Sequence, residues 1–499
     1  MQHSPVKKNN TMSNLINEAC VKSHQAWVGY RETTYKQREN LLVAIAREIE
    51  ALGDVLIETA MEETNLPQAR LSGERGRTCN QLRAYAKHIT DGYWANACID
   101  TAIPDRQPLP KVDIRKVNQP IGPIVVFGAS NFPFAYSTAG GDTASALAAG
   151  CTVLLKAHPA HLETSRLVAS AITKALVSEG LSEDIFIHVE ETDFSAGKAL
   201  VQHPNVKGVG FTGSFGGGMA LVKYAQERAE PIPVFSEMGS INPVLILHET
   251  YDESLEQKIN QLAGAITLGV GQFCTNPGLV FGLKGPVLDK AAHQLGTAIS
   301  KVGIIGKMLH PGIAKSYVQN YQTALDQQGV EVVARSVEAD EPGIGLIAKT
   351  SSATFAENKK LHQEIFGPYS LIVECDDLDD LLAVYEHLEG QLTSSIFIEP
   401  ERHDVQKLAV AKMIHKSGRV IINGVPTGVE VCHSMVHGGP FPSTTDGRFT
   451  SVGQDSILRW VRPVCYQSFP DAVLPVALQN DNPLNIARLV NGVWSTASI

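Results

Sequence analysis

The 499-residue sequence has no excess of positive charge: 42 Lys and Arg stand against 52 Asp and Glu, a net charge of −10. A nucleic-acid binder carries a clustered basic surplus, so that class is excluded. No run of about 20 apolar residues occurs, so no transmembrane helix and no membrane partner are expected. Residues Met1–Asn14 are polar and lack the apolar stretch of a secretory signal. A cytoplasmic location is expected, and no ordered structure ahead of Met12. The eight cysteines (Cys20, Cys79, Cys98, Cys151, Cys274, Cys375, Cys432 and Cys465) form no C-x-x-C or Cys/His pair. That excludes a zinc ribbon, so no metal site is expected and the thiols should be free and reduced. Repeats, Gly/Ser linkers and low-complexity tracts are also absent. What remains is ordinary globular composition, 43% apolar and 19% charged. At roughly 150 residues per domain the length suggests about three domains.

Leu41, Leu42, Ile45, Ile49, Leu52 and Leu56 recur at helical spacing, which predicts one helix over about 35–63. A second helix follows Pro67 and places Arg70, Glu74, Arg77 and Gln81 on one face. From Pro120 short apolar runs alternate with helical segments. Strands are predicted at Ile124–Phe127, Val153–Leu155, Ile185–Val189, Val206–Phe211 and from Val234. Such alternation implies parallel βαβ units, with ligands beyond the carboxyl ends of the strands. A second α/β region runs over about 241–428. The segment Ile457–Tyr466 reads as an exposed strand suited to pairing with another subunit.

Four features carry candidate chemistry. Cys274 lies among Gly269, Gly271 and Gly278, which allow close backbone approach; a buried inert thiol is the plain alternative. Glu237 ends a strand beside Gly239 and suits a general base, although most glutamates are surface groups. Asn131 follows a strand and suits an oxyanion donor or a turn before Pro133. Thr212–Gly218 is a Gly-rich strand-to-helix turn that suits a pyrophosphate, though it is no G-x-G-x-x-G fingerprint.

Taken in order, Phe127-Gly128-Ala129-Ser130-Asn131-Phe132-Pro133, Lys156, Phe211-Thr212-Gly213-Ser214, Glu237-Met238-Gly239, Gly271-Gln272-Phe273-Cys274 and Glu364-Ile365-Phe366-Gly367-Pro368 form a constellation. From about residue 15 to the end the chain resembles the NAD(P)-dependent aldehyde dehydrogenase superfamily. The stretches Glu62–Pro67, Gly73–Thr78, Ala139–Leu147 and Lys156–His161 are similar to the branch that holds 2-oxoglutarate semialdehyde (2,5-dioxopentanoate) dehydrogenases and an NADP-dependent fatty aldehyde dehydrogenase of luminous bacteria.

The resemblance implies an α/β fold of two Rossmann-like parallel-sheet domains plus a small oligomerisation β-element. Residues 1–236 would hold N-terminal helices and the dinucleotide domain, with 113–121 joining the oligomerisation element. Residues 237–430 would form the catalytic thiol domain, and 431–499 would return to the cofactor domain and supply the pairing strand of a homodimer or homotetramer. Cys274 matches the nucleophile that forms a thiohemiacetal and then a thioester. Asn131 matches the oxyanion donor, and Glu237 the base that hydrolyses the thioester. Lys156 matches the ligand of the adenosine ribose. Gly213, Ser214 and Gly218 match the pyrophosphate turn, and Glu364 and Phe366 position the nicotinamide ribose and ring.

Two departures from the family pattern stand out. Pro159 occupies the place where NAD-preferring members often carry an acid, so a 2′-phosphate is not repelled there. His158 or Lys156 is a candidate partner for it, and the expectation is NADP or NAD, with NADP favoured. His437-Gly438-Gly439-Pro440-Phe441-Pro442-Ser443 stands where a Pro-Phe-Gly-Gly-type segment is common. Arg70, Arg77 and Gln81 suit the far carboxylate of a semialdehyde, or else an Arg70–Glu74–Arg77 ion network within the helix. The expected reaction is oxidation of 2,5-dioxopentanoate to 2-oxoglutarate. A medium- or long-chain fatty aldehyde is the alternative substrate. A cofactor-independent thiol esterase is the alternative of another class.

Overall fold

The structure, a computed structural model, describes residues 5–191, 193–303, 305–337 and 342–499. Its helices and strands build three sheets. The first has five parallel strands in the order Phe186–Val189, Val153–Lys156, Ile124–Phe127, Gly208–Thr212, Val234–Glu237. Its central strands are apolar on both faces, as burial under helices on either side requires. The second has seven strands in the order Glu331–Arg335, Leu346–Ser351, Tyr369–Cys375, Leu279–Leu283, Val244–Ile246, Gln391–Phe397, Ser417–Ile422. All its pairs are parallel except the first. These are the two Rossmann-like units of a mixed α/β fold.

Register brings the functional segments together. In the first sheet Phe127 stands opposite both Lys156 and Phe211, and Thr212 opposite Glu237. The turns after these residues therefore share one carboxyl rim, where strand order reverses about the Ile124–Phe127 strand. In the second sheet, strands Leu279–Leu283 and Tyr369–Cys375 are neighbours. The segments that precede them, 271–276 and 364–367, are thus side by side at the amino rim. The site forms where the carboxyl rim of one sheet meets the amino rim of the other.

Several sequence expectations are corrected. The helix expected over about 35–63 is two, Tyr35–Ala51 and Gly53–Thr64, because Gly53 takes φ +59° and breaks the run. Thr34 and Gln37 close a capping box on the first of them. Helix begins at Pro5, ahead of Met12, and runs to Tyr30. Ile457 lies not in a strand but buried in a short helical segment, Gln454–Trp460. The strand is Val461–Gln467, and it pairs antiparallel with Ile114–Pro120 of its own chain over seven residues. It ends the third sheet, whose other strands are Cys98–Asp100, Arg488–Val490 and Val493–Ser495. Only its outer edge is left for another chain. The Gln454–Trp460 segment is anchored to the helix Gly141–Ala149 by Trp460 Nε1, which donates to Ser145 Oγ at 2.7 Å, and by the Arg459–Asp142 ion pair at 2.7 Å. Among the described residues no helix is long and apolar enough to cross a membrane.

Candidate active site

Cys274 sits on a loop held by backbone geometry that few side chains tolerate. Gly269, Val270 and Gly271 all have φ between +56° and +64°. A Cβ on Gly271 would stand 2.3 Å from the carbonyl carbon of Gly367, so no other residue fits there. Val270 is β-branched and buried at φ +59°, a strained conformation that the surroundings must enforce. The enforcement is visible. Asn242 Nδ2 donates to the carbonyls of Cys274 and Asn276, both at 2.9 Å, and Asn276 Nδ2 donates to the carbonyl of Gly367 at 3.1 Å. Gln272 Oε1 accepts from Leu309 N–H at 2.9 Å. Asn131 Nδ2 donates to the Gln272 carbonyl at 3.1 Å, which ties the first sheet's rim to the thiol loop.

The thiol is not alone. Cys274 Sγ lies 3.4 Å from His437 Nε2, and the same nitrogen lies 3.0 Å from Glu237 Oε1. Ser451 Oγ donates to the other oxygen, Glu237 Oε2, at 2.5 Å. His437 is 1% exposed, and Thr450 Oγ1 accepts from its backbone N–H at 2.9 Å. Burial alone would push the Glu237 carboxyl up, but the charge of His437 and the hydrogen bonds from His437 and Ser451 hold it below the usual range. It is therefore ionised at neutral pH, and His437 Nε2 carries the proton it shares with Oε1. Cys274 moves the other way. Burial, then the negative charges of Glu237 and Glu364, push its thiol well above the ordinary value, with Arg77 opposing. Glu364 is itself pushed up to about 7 by burial.

The other thiols divide differently. Cys20, Cys79 and Cys151 are buried and pushed up to about 12, 11 and 11. Cys375 is buried and likewise raised. Cys98 and Cys432 are half-buried and Cys465 is exposed, so accessibility does not single out Cys274; its neighbours do.

At the first sheet's rim, Lys156 is buried, and its Nζ donates to the Ala157 carbonyl at 3.4 Å. Among the described residues no carboxylate lies within ion-pair distance of it, and burial lowers its pKa while Asp193 and Glu191 oppose. His158 Nδ1 accepts from Ala160 N–H at 3.1 Å. Burial and the neighbouring His161, His310 and Lys156 push His158 down to about 3, so it is uncharged. Ser214 caps the helix Phe215–Gln226 by accepting from Gly217 N–H at 3.2 Å. Gly213 and Gly216 lie at the exposed start of that turn, and the space beside Gly216 is open. Gly218 faces inward instead: a Cβ there would meet Met238 Sδ at 2.6 Å. Glu364 lies over Gly239, where a Cβ would stand 2.5 Å from Oε2, and Phe366 lines the same hollow.

The Arg70–Gln81 face separates into distinct environments. Arg70 pairs with Glu74 Oε2 at 3.2 Å, donates to the Asn131 carbonyl at 3.3 Å and covers the rings of Phe132 and Phe273. Glu74 also accepts from the Phe134 and Ala135 amides at 2.9 and 3.0 Å, so it organises the Asn131 loop. Arg77 donates to Tyr136 Oη at 3.4 Å rather than to Glu74, and its buried Nε has no hydrogen-bond partner among the described residues. Gln81 is buried against Gly141.

Sequence reasoning missed His437, Ser451 and Arg419. Arg419, on strand Ser417–Ile422, donates to the carbonyls of Gly428 and Pro426, and burial lowers its pKa. No local motif marks it. His437 did carry a signal, since its segment departs from the common family pattern.

Known proteins resemble the chain along most of its length. The model of the aldehyde dehydrogenase family matches residues 6–461. An α-ketoglutaric semialdehyde dehydrogenase 2 of Azospirillum brasilense is 47% identical over 479 residues, 96% of this chain and 91% of that protein. An α-ketoglutaric semialdehyde dehydrogenase of Acinetobacter baylyi is 44% identical over 483 residues, again 96% and 91%. The crystal structure of a methylmalonate-semialdehyde dehydrogenase from Oceanimonas doudoroffii superposes with a TM-score of 0.77 at 19% identity, covering 92% of this chain and 91% of that one. A thiol flanked by a carboxylate, between two Rossmann-like sheets, in a chain matched by that model along most of its length, makes it a member of the aldehyde dehydrogenase family.

Proposed function

We propose that the protein oxidises 2,5-dioxopentanoate to 2-oxoglutarate through Cys274. The observation that carries the mechanism is the contact of Cys274 Sγ, His437 Nε2 and Glu237 Oε1 at 3.4 and 3.0 Å. The thiol gives up its proton to solvent and Sγ attacks the aldehyde carbon, forming a thiohemiacetal. Asn131 uses one amide hydrogen on the Gln272 carbonyl and keeps the second for the oxyanion, beside the Cys274 backbone N–H. Glu237, ionised and held by Ser451, then takes a proton from the water that hydrolyses the thioester.

The family oxidises aldehydes with NAD or NADP. The rim residues fit a dinucleotide: a buried Lys156 with no carboxylate at contact distance among the described residues, and an exposed helix start at Gly213–Gly216. When bound, the nicotinamide supplies the hydride acceptor. Lys156 would hold the adenosine ribose, Gly213 and Ser214 the pyrophosphate, and Glu364 and Phe366 the nicotinamide end. Gly218 serves by letting its helix pack close against Met238. An uncharged His158 leaves Lys156 as the cation for a 2′-phosphate, and Glu191 and Asp193 weaken that attraction. NADP is therefore favoured only modestly, with kcat/KM for the two cofactors expected within about tenfold of each other.

Substrate choice rests on two supports. The two relatives named above are dehydrogenases of this semialdehyde. Arg77 also presents a guanidinium near the thiol that makes no ion pair among the described residues, whereas Arg70 pairs directly with Glu74. A panel of 2,5-dioxopentanoate, hexanal and dodecanal, each with NAD and NADP, tests the assignment; a large preference for dodecanal would sink it. Arg77→Met is expected to cost about 10–100-fold in kcat/KM toward the semialdehyde and to leave hexanal almost unchanged. Equal losses on both would show that Arg77 is structural.

A further inference from the structure

The three groups at the reaction centre also make a ligand set. Cys274 Sγ, His437 Nε2 and a Glu237 oxygen all lie within 4.8 Å of one another, with the two closest separations at 3.4 and 3.0 Å. A tetrahedral zinc ion with one sulfur, one nitrogen and one oxygen ligand needs those atoms about 3.3–3.6 Å apart. Shifts of a few tenths of an ångström bring the two contact distances to that spacing, and closing the Cys274–Glu237 separation, which is at most 4.8 Å, completes it. We propose that this centre binds a zinc-class divalent cation through Cys274, His437 and Glu237, and that the bound ion switches the enzyme off. The inhibitory consequence rests on the catalytic reading above; the binding does not.

Two observations besides the distances support the site. Its supporting contacts already exist: Ser451 Oγ holds Glu237 Oε2, leaving Oε1, the atom nearest His437, for the ion. Ser451 N–H also donates to the His437 carbonyl at 2.8 Å and fixes its backbone. The donor set is selective as well. One thiolate and one imidazole suit zinc or cobalt(II), whereas magnesium and calcium demand oxygen ligands. Sequence spacing could not show the set, because its members stand at 237, 274 and 437 and meet only in the fold.

Binding breaks the Cys274 S–H and His437 Nε2–H bonds, forms bonds from the ion to Sγ, Nε2 and a Glu237 oxygen, and releases both protons to solvent; no electron is transferred. Three protein ligands leave a fourth position to water, the arrangement of an open zinc site. The nucleophile and the base are both withdrawn from the reaction, so inhibition is complete at saturation and reversible.

The test uses cobalt(II) as the spectroscopic probe on chelator-treated full-length protein. A thiolate-to-cobalt charge-transfer band is expected in the near ultraviolet, saturating at a single equivalent per chain. Cys274→Ser should abolish it, and Cys465→Ser should leave it intact. His437→Asn should weaken binding at least about tenfold. In the unmutated protein, zinc should displace cobalt, protect the Cys274 peptide from iodoacetamide and inhibit over the same concentration range, with EDTA restoring activity. A band that survives Cys274→Ser, no band at all, or inhibition that tracks alkylation of Cys465 would overturn the proposal. The cobalt spectrum is independent of turnover, so a failed substrate assignment would leave this result standing.

Discussion

Cys274→Ser should reduce aldehyde oxidation by on the order of 10⁴-fold or more, since removing a covalent nucleophile removes the pathway rather than slowing one step. The serine hydroxyl occupies less space at a half-buried position and its hydroxyl still has His437 to bond, so the fold should persist. Dinucleotide affinity should be unchanged, because Lys156 and the Gly213–Gly216 turn lie on the other sheet's rim. Stopped-flow measurement should show no burst of reduced cofactor with any aldehyde. Cys98, Cys432 and Cys465 provide the control, since they are accessible too. Substituting each should leave turnover within about twofold, as surface changes away from special features are nearly neutral. Residual activity above a few per cent in Cys274→Ser would place the nucleophile elsewhere.

What was legible in the sequence follows from what is local. The alternation of apolar runs and helices from Pro120 gave the five parallel strands of the first sheet to within about two residues at each end. Cys274, Glu237 and Asn131 sit in short segments whose glycines and strand ends mark them. His437 also precedes two glycines in a segment that departs from the family pattern, but it reaches Cys274 across 163 residues and Glu237 across 200, so its role shows only in the fold. Ser451 is a similar case, 214 residues from the carboxylate it holds. The charge state of His158 was equally invisible. It depends on His161 and His310 crowding it, and His310 comes from a distant helix start. The rule that ligands bind beyond carboxyl ends of strands found half of the site. The other half comes from the amino rim of the second sheet, where the left-handed run at Gly269–Gly271 turns the chain toward Cys274. The break at Gly53 was missed because the apolar periodicity of Leu41 to Leu56 continues across it while the backbone reverses its φ.

Glu237→Gln should separate the two half-reactions, with opposite signs. Glutamine keeps the size and can still meet Ser451 and His437, but it carries no charge and takes no proton. Hydrolysis of the thioester loses its base, so steady-state turnover should fall about 10²–10⁴-fold. Acylation should continue, giving a stoichiometric burst of reduced cofactor followed by the slow phase. The thiol itself should become more reactive. In the wild type, burial and the Glu237 charge raise the Cys274 pKa, so the acylation rate should climb with pH through the neutral and alkaline range. Removing the adjacent negative charge lowers that pKa and leaves His437 Nε2 within hydrogen-bond reach of the sulfur, an arrangement that favours thiolate. The acylation profile should therefore shift to lower pH. Iodoacetamide should alkylate Cys274 faster at pH 7, because more of it is thiolate. A slower alkylation, or a profile that shifts to higher pH, would mean that Glu237 deprotonates the thiol instead of suppressing its ionisation. In that case the burst should vanish with it, because one carboxylate would be serving both steps.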